Sequence, residues 1–249
     1  MHLVIDYGNT CVKVAVFEPS GELCFQDKWE NCTHAYIEAL LQTYPIDAVI
    51  VCSVVGISEE VLHYLRQHIA YVLVLDHQTP LPIKNAYKTP HTLGYDRLAA
   101  AVGAHAMHPD MPLLVIDAGT AITYDFVSPD NQFVGGNIAP GAAMRFSALH
   151  HFTQKLPQLS LPTDSVEMTL GNDTQSAIQM GVVNGIVYEI EGYIAKLQAK
   201  YPQLLIFLTG GDAFFFERRI KSSIFVSPNL LLFGLHRILT YNKCLQKAE

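Results

Sequence analysis

Paired cysteines, a long apolar run and a basic tract are all missing from this chain of 249 residues. Its five cysteines, Cys11, Cys24, Cys32, Cys52 and Cys244, are odd in number and include no CxxC. They read as reduced thiols of a cytoplasmic protein, not as a disulfide framework or a metal site. The histidines are scattered: His105/His108 and His150/His151 lack partners at metal-ligand spacing. No apolar run approaches the ~18–20 residues that cross a bilayer; residues 230–235 are very apolar but too few, and fit a core helix. Met1 leads within a few residues into the first predicted strand, which leaves no room for a signal peptide. Net charge is −7 with no cluster of Lys and Arg. Neutralising a nucleic-acid backbone needs such clusters, so neither nucleic acid nor membrane is an expected partner.

What is present is a repeat. Half of the residues are hydrophobic, ample for a sizeable core. Leu3-Val4-Ile5-Asp6-Tyr7-Gly8 recurs with one change as Leu114-Val115-Ile116-Asp117-Ala118-Gly119, and each copy runs into a threonine, Thr10 or Thr120. An apolar run ending in Asp-x-Gly reads as a buried strand and a tight turn. One such turn is an ordinary hairpin. Two that share their preceding strand sequence point to a duplicated fold.

The rest of the pattern agrees. Strands are predicted over 2–5, 12–16 and 23–29, an antiparallel meander with Glu18-Pro19-Ser20-Gly21 as a turn. A helix near 34–43 and a strand over 48–52 follow. Ser58 with Glu59 and Glu60 opens a helix to about residue 68, and a strand follows over 71–75. Residues 76–93 hold Pro80, Pro82 and Pro90 and little periodicity, a loop of functional length. A helix is predicted over 95–108. The grammar then restarts with strands over 113–117, 122–127 and 133–138. Helices from about 142 and over about 174–200 precede a strand over 204–208. That strand ends in Thr209-Gly210-Gly211-Asp212, and a last helix spans about 229–242. Each half is β-β-β followed by mixed α and β. This predicts an α/β protein with two similar lobes, 1–110 and 111–249, and a cleft between them.

Asp6-Tyr7-Gly8-Asn9-Thr10 with Lys13 is the first candidate for chemistry. Gly8 permits a tight turn and close approach of a ligand. Free N–H groups and the Thr10 hydroxyl can donate to phosphate oxygens, Asp6 can hold hydrated Mg²⁺, and Lys13 adds positive charge. The paired glycines after Thr209 suit close approach of a nucleotide's sugar or base. Other positions read blandly from the residues alone. Asp96 is an N-cap for a helix over 97–108, Arg97 a surface ion pair, Tyr87 a loop aromatic and Thr174 another N-cap.

Six elements in order give a resemblance: Asp6-x-Gly-Asn-Thr-x-x-Lys13, Gly94-Tyr-Asp-Arg97, Asp117-x-Gly-Thr120, Gly135-Gly-Asn-Ile-x-Pro-Gly141, Asn172-x-Thr174 and Thr209-Gly-Gly-Asp212. Together they resemble the ASKHA superfamily of acetate and sugar kinases, Hsp70 chaperones and actin, and in detail the type III pantothenate kinases. The resemblance implies duplicated ribonuclease H-like lobes and transfer of the γ-phosphoryl group of ATP to the 4′-hydroxyl of pantothenate. It implies Asp96 as general base, and Tyr87, Gly94, Tyr95, Asp96, Arg97 and Thr174 at pantothenate, with Arg97 on its carboxylate. It implies Asp6, Tyr7, Gly8, Asn9, Thr10, Cys11, Val12, Lys13 and Thr120 at ATP, with Mg²⁺ at Asp6. Asp117 would ligate a monovalent cation, K⁺ or NH₄⁺, and residues 135–141 would line the pantothenate pocket. It further implies a homodimer in which Thr174 serves the neighbouring subunit's site. The alternatives are another small-molecule ASKHA kinase, or a regulatory protein of the same family, against which retention of Asp6, Asp96, Arg97 and Asp117 argues.

Overall fold

The computed structural model describes residues 1–8, 10–163 and 168–246; Asn9, expected at the nucleotide, lies outside the described residues. The chain forms two compact units. One comprises Met1–Asp110, Asp130–Val134 and the stretch from Asn229 onward, the other Met111–Pro129 and Gly135–Pro228.

The first unit is built on β1 (His2–Tyr7), β2 (Val12–Phe17), β3 (Leu23–Trp29), β4 (Ala48–Ser53) and β5 (Tyr71–Val74), in the order β3-β2-β1-β4-β5. The meander β1-β2-β3 is antiparallel, while β4 and β5 join in parallel. Central β1 is buried from His2 to Asp6, as a strand covered on both faces must be, and therefore reads as a continuous apolar run. Edge strand β3 is mostly exposed and carries Asp27 and Lys28, charges that discourage a further strand from pairing there. Alternation along the strands assigns the faces. Leu3, Ile5, Val49 and Val51 pack with Ile37 of α1 (His34–Thr43) and Leu65 of α2 (Glu59–His68). The opposite face carries His2, Val4 and Asp6 of β1 with Ala48, Ile50 and Cys52 of β4. It is covered by α3 (Tyr95–Met107) and by the last helix.

The second unit repeats this plan. β7 (Leu113–Ala118), β8 (Ala121–Ser128), β9 (Gln132–Pro140), β10 (Leu205–Thr209) and β11 (Phe225–Val226) run in the order β9-β8-β7-β10-β11. β7 takes the place of β1, antiparallel to β8 and parallel to β10. Helices α4 (Ala142–His151), α5 (Thr174–Gln198) and α6 (Ala213–Glu217) complete it, with Ile186, Ile190 and Ile194 of α5 fully buried. No helix among the described residues is long and apolar enough to cross a membrane.

Two expectations need correction. A cut into 1–110 and 111–249 misassigns α7 (Leu230–Gln246), which belongs with the first unit. It packs on α3, β1 and β4, burying Leu230, Leu231, Leu232 and Leu235. The stretch 76–93 is not one uninterrupted loop. It contains β6 (Lys84–Asn85), which pairs with Gln132 and Phe133 at the start of β9, and a 3-10 turn over Pro90–Thr92.

Where α7 meets β1 a polar chain runs from the exposed Asp47 inward to two buried histidines. Lys243 Nζ lies 2.7 Å from the Asp47 carboxylate and 3.0 Å from His2 Nε2, and His2 Nδ1 lies 3.0 Å from His236 Nε2. An ammonium only donates, so His2 Nε2 accepts and the His2 proton sits on Nδ1, pointing at His236. Burial, then the Lys243 charge, lowers His2 to about 4; burial, then His2, Arg237 and Lys243, lowers His236 to about 4. Asp47 is pushed up by burial, but Lys243 and the N-terminal ammonium hold it down at about 2. A histidine neutral when folded and protonated when unfolded favours the unfolded chain as pH falls. The contribution of this pair is complete above the ordinary histidine value of ~6.5 and drains away as pH drops towards about 4. The melting temperature is therefore expected to fall across that window, and to fall less in His236→Asn; calorimetry at a series of pH values measures both slopes.

Candidate active site

Asp6, the penultimate residue of β1, is 3% exposed and lies on the α3 face. Lys13 of β2 is its antiparallel partner and Cys52 of β4 its parallel one. The turn after β1 closes through the Gly8 N–H, which donates to the Cys11 carbonyl at 3.2 Å; a Cβ on Gly8 would stand at the same short distance from that oxygen. Thr10 is exposed on this turn and Cys11 half-buried. Tyr7 and Val12 point the other way. Val12 is in the core and the Tyr7 ring packs against it, its hydroxyl beside the Cys32 thiol, so both offer a ligand their backbone only.

Asp96 is the second residue of α3, whose N-cap is Gly94. It is not the cap that its position first suggests. Its Oδ1 accepts from the Arg97 N–H at 2.8 Å, and the carboxylate folds back over Gly94, where a Cβ would stand 2.4 Å from Oδ1. Glycine at 94 thus leaves room for the carboxylate. Asp6, Asp96 and Lys13 all act electrostatically on the Cys52 thiol: burial first, then the two carboxylates, raises it, and Lys13 opposes them. Register thus sets Asp6 beside Lys13 and Cys52, and Asp96 is close enough to act on the same thiol. Sequence reasoning passed over Cys52, whose signal exists only in the β1–β4 register.

Arg97 is 7% exposed and so is no surface residue. Its guanidinium carbon lies 5.9 Å from the centre of the Tyr87 ring and 6.0 Å from that of Phe133. Tyr87 is fixed by its N–H donating to Asn85 Oδ1 at 3.0 Å, and the β6–β9 pairing brings Phe133 beside it. Both distances lie at the ~6 Å limit of a cation–π contact, so the two rings border the guanidinium. Phe133 was also missed, because a phenylalanine in a predicted strand reads only as core.

In the second unit Asp117 takes the place of Asp6, with Thr123 of β8 and Thr209 of β10 as register partners. Three turns meet there, backbone against backbone. Gly119 N–H donates to the Ala121 carbonyl, Gly141 N–H to Thr120 and Asp212 N–H to Ala118, at 3.0, 3.0 and 2.9 Å. A Cβ on Gly141 would stand 2.0 Å from the Gly119 oxygen. Gly210, at φ +97°, has no room for one either, with the Ala118 oxygen at 2.3 Å and Asp117 Oδ1 at 2.4 Å. The Asp117 carboxylate thus lies against Gly210, with the Ala118 carbonyl against the same glycine. Thr120 is exposed on this turn. Thr174 is not among these turns. It is the exposed first residue of α5, and Asp173 is the cap, accepting from the Gln175 and Ser176 N–H groups. No group of three or more His, Cys, Asp or Glu that could hold a metal ion occurs among the described residues. A Mg²⁺ ion at Asp6 would share one carboxylate with substrate phosphates and water, an arrangement ordinary for that ion.

A family model described as type III pantothenate kinase matches residues 2–196. A type III pantothenate kinase of Phocaeicola vulgatus is 46% identical over 242 residues, covering 97% of this chain and 99% of its own. One of Bacteroides fragilis is 48% identical over 244 residues, covering 97% and 98%. Among solved structures, the activator of the 2-hydroxyisocaproyl-CoA dehydratase from Clostridium difficile with bound ADPNP is similar at a TM-score of 0.56 and 14% identity, covering 100% of this chain and 97% of that one. A glucokinase from an Antarctic psychrotroph is similar at 0.52 and 11%, covering 96% and 98%. At such identities the likeness is one of fold alone.

Proposed function

The chain belongs to the type III pantothenate kinases, and on that premise we propose which of its residues carry the reaction. It phosphorylates pantothenate with ATP to 4′-phosphopantothenate, the first step of coenzyme A synthesis. Phosphoryl transfer through a loose transition state asks chiefly for alignment and charge stabilisation, with the proton leaving late. Asp96 accepts the proton of the pantothenate hydroxyl, and an aspartate suffices because the proton leaves after the bond to phosphorus has begun to form. Arg97, beside Tyr87 and Phe133, grips the pantothenate carboxylate through paired hydrogen bonds. Gly8, Thr10, Lys13 and Thr120 receive the phosphates of ATP. Asp6 holds the divalent ion that accompanies ATP, which neutralises phosphate charge when bound. Asp117 holds a monovalent cation, K⁺ or NH₄⁺. The enzyme works as a cytoplasmic homodimer in which Thr174 serves the neighbouring subunit's pantothenate.

The observation that carries this reading is the register that sets Asp6 beside Lys13 and Cys52, with Asp96 close enough to act on the same thiol and Arg97 next to Asp96 in the chain. The test is a coupled assay of ADP formation, with and without pantothenate, in K⁺ and then in Na⁺ buffer. Pantothenate-dependent turnover that is faster in K⁺ is expected. Turnover indifferent to pantothenate would overturn the reading, and equal rates in the two buffers would remove the cation from Asp117.

A further inference from the structure

Cys52 stands among the candidate residues of the first unit, yet the reaction as described gives it no task. Its placement has a counterpart. On β4 it lies beside Asp6 of β1 in parallel register, and on β10 Thr209 lies beside Asp117 of β7 in the same way. Five strands follow the same order in both sheets, and in both the strand next to the aspartate puts a small side chain with a polar hydrogen at this one place. Both are buried, Cys52 0% and Thr209 2% exposed. Register partners on parallel strands project from the same face, so each donor lies alongside its carboxylate.

The chemistry explains why such a group belongs there. Asp6 and Asp96 both press negative charge on position 52. A carboxylate at this place would repel both, and an ammonium would compete with a bound divalent cation for Asp6. A neutral donor does neither. A thiol offers one S–H donor, and the β1–β4 register sets it alongside the Asp6 carboxylate.

We propose that Cys52 is a positioning residue for the kinase reaction, its S–H donating to the Asp6 carboxylate and fixing the orientation in which Asp6 meets Mg-ATP. This rests on the reading that Asp6 serves Mg-ATP. Partners that orient a metal-binding group typically alter affinity by about ten-fold when removed. Cys52→Ala is accordingly expected to raise the KM for Mg-ATP by about ten-fold, with the KM for pantothenate unchanged. Cys52→Ser, which restores a donor of similar size, is expected to return the Mg-ATP KM to within about two-fold of the original. The test adds Asp6→Asn and the double variant Asp6→Asn/Cys52→Ala, with steady-state kinetics over Mg²⁺ concentration and a melting curve for each. Asp6→Asn should raise the Mg-ATP KM, and Cys52→Ala should add nothing on top of it. If Asp6→Asn raises that KM but Cys52→Ala lowers only the melting temperature, Cys52 is a packing residue and the proposal fails alone. If Asp6→Asn leaves the Mg-ATP KM unchanged, the reading of Asp6 fails and takes the proposal with it.

Discussion

Asp96→Asn is expected to lower kcat for pantothenate phosphorylation by about 10²–10⁴-fold, the range that a positioned general base contributes. The substitution is nearly isosteric. The amide oxygen can still accept from the Arg97 N–H, which Asp96 Oδ1 does at 2.8 Å, and it still finds the space over Gly94. What is lost is the negative charge that takes the proton. A carboxylate in the first turn of a helix also stabilises it by ~0.3–1 kcal/mol, so the melting temperature should fall only slightly. Steady-state assays and calorimetry on the same preparation separate the two effects. Full activity in the variant would reassign the base, and a collapse in stability would mean that Asp96 chiefly holds the first turn of α3 together.

The largest expected effect on stability lies far from the chemistry. α3 and α7 cross where Gly103 meets Leu230 and Gly234 meets Ala99. A Cβ on Gly234 would stand 1.7 Å from the Ala99 oxygen and 2.9 Å from the Gly103 nitrogen; one on Gly103 would stand 2.3 Å from the Leu230 oxygen. These are backbone atoms of helices and cannot swing aside. Gly234→Ala should therefore force the helices apart and destabilise the protein by about 3 kcal/mol, in the range of overpacked cores. The sign is diagnostic. In an unobstructed helix the same change would stabilise by ~1 kcal/mol through helix propensity. Urea unfolding decides between them, and a gain in stability would show that the helices do not approach so closely. Because α3 carries Asp96 and Arg97, kcat should fall as well.

The accuracy of the element boundaries has a simple origin. β1 and β7 are apolar runs closed by Asp-x-Gly, and α2 opens on Ser58 with Glu59 and Glu60 in its first turn, as expected. These signals lie within a few residues of one another. The bland reading of Asp96 as a cap failed by two residues, because α3 begins at Tyr95 under Gly94. Thr174 failed as a cap by one, because Asp173 completes a capping box with Ser176. In both cases several polar residues compete for one helix start, and local sequence does not rank them.

By itself, the sequence determined the duplicated strand-turn unit, the α/β class and the aspartates one residue before the ends of β1 and β7. Periodicity and turn chemistry act over short stretches of chain and leave their mark there. Only the tertiary structure decided that α7 joins the first unit, that Phe133 flanks Arg97, and that Cys52 and Thr209 each stand beside a repeated aspartate. Each of those depends on which strands become neighbours and on how closely two backbones approach. That is settled by packing between residues far apart in the chain, and no short window of sequence records it.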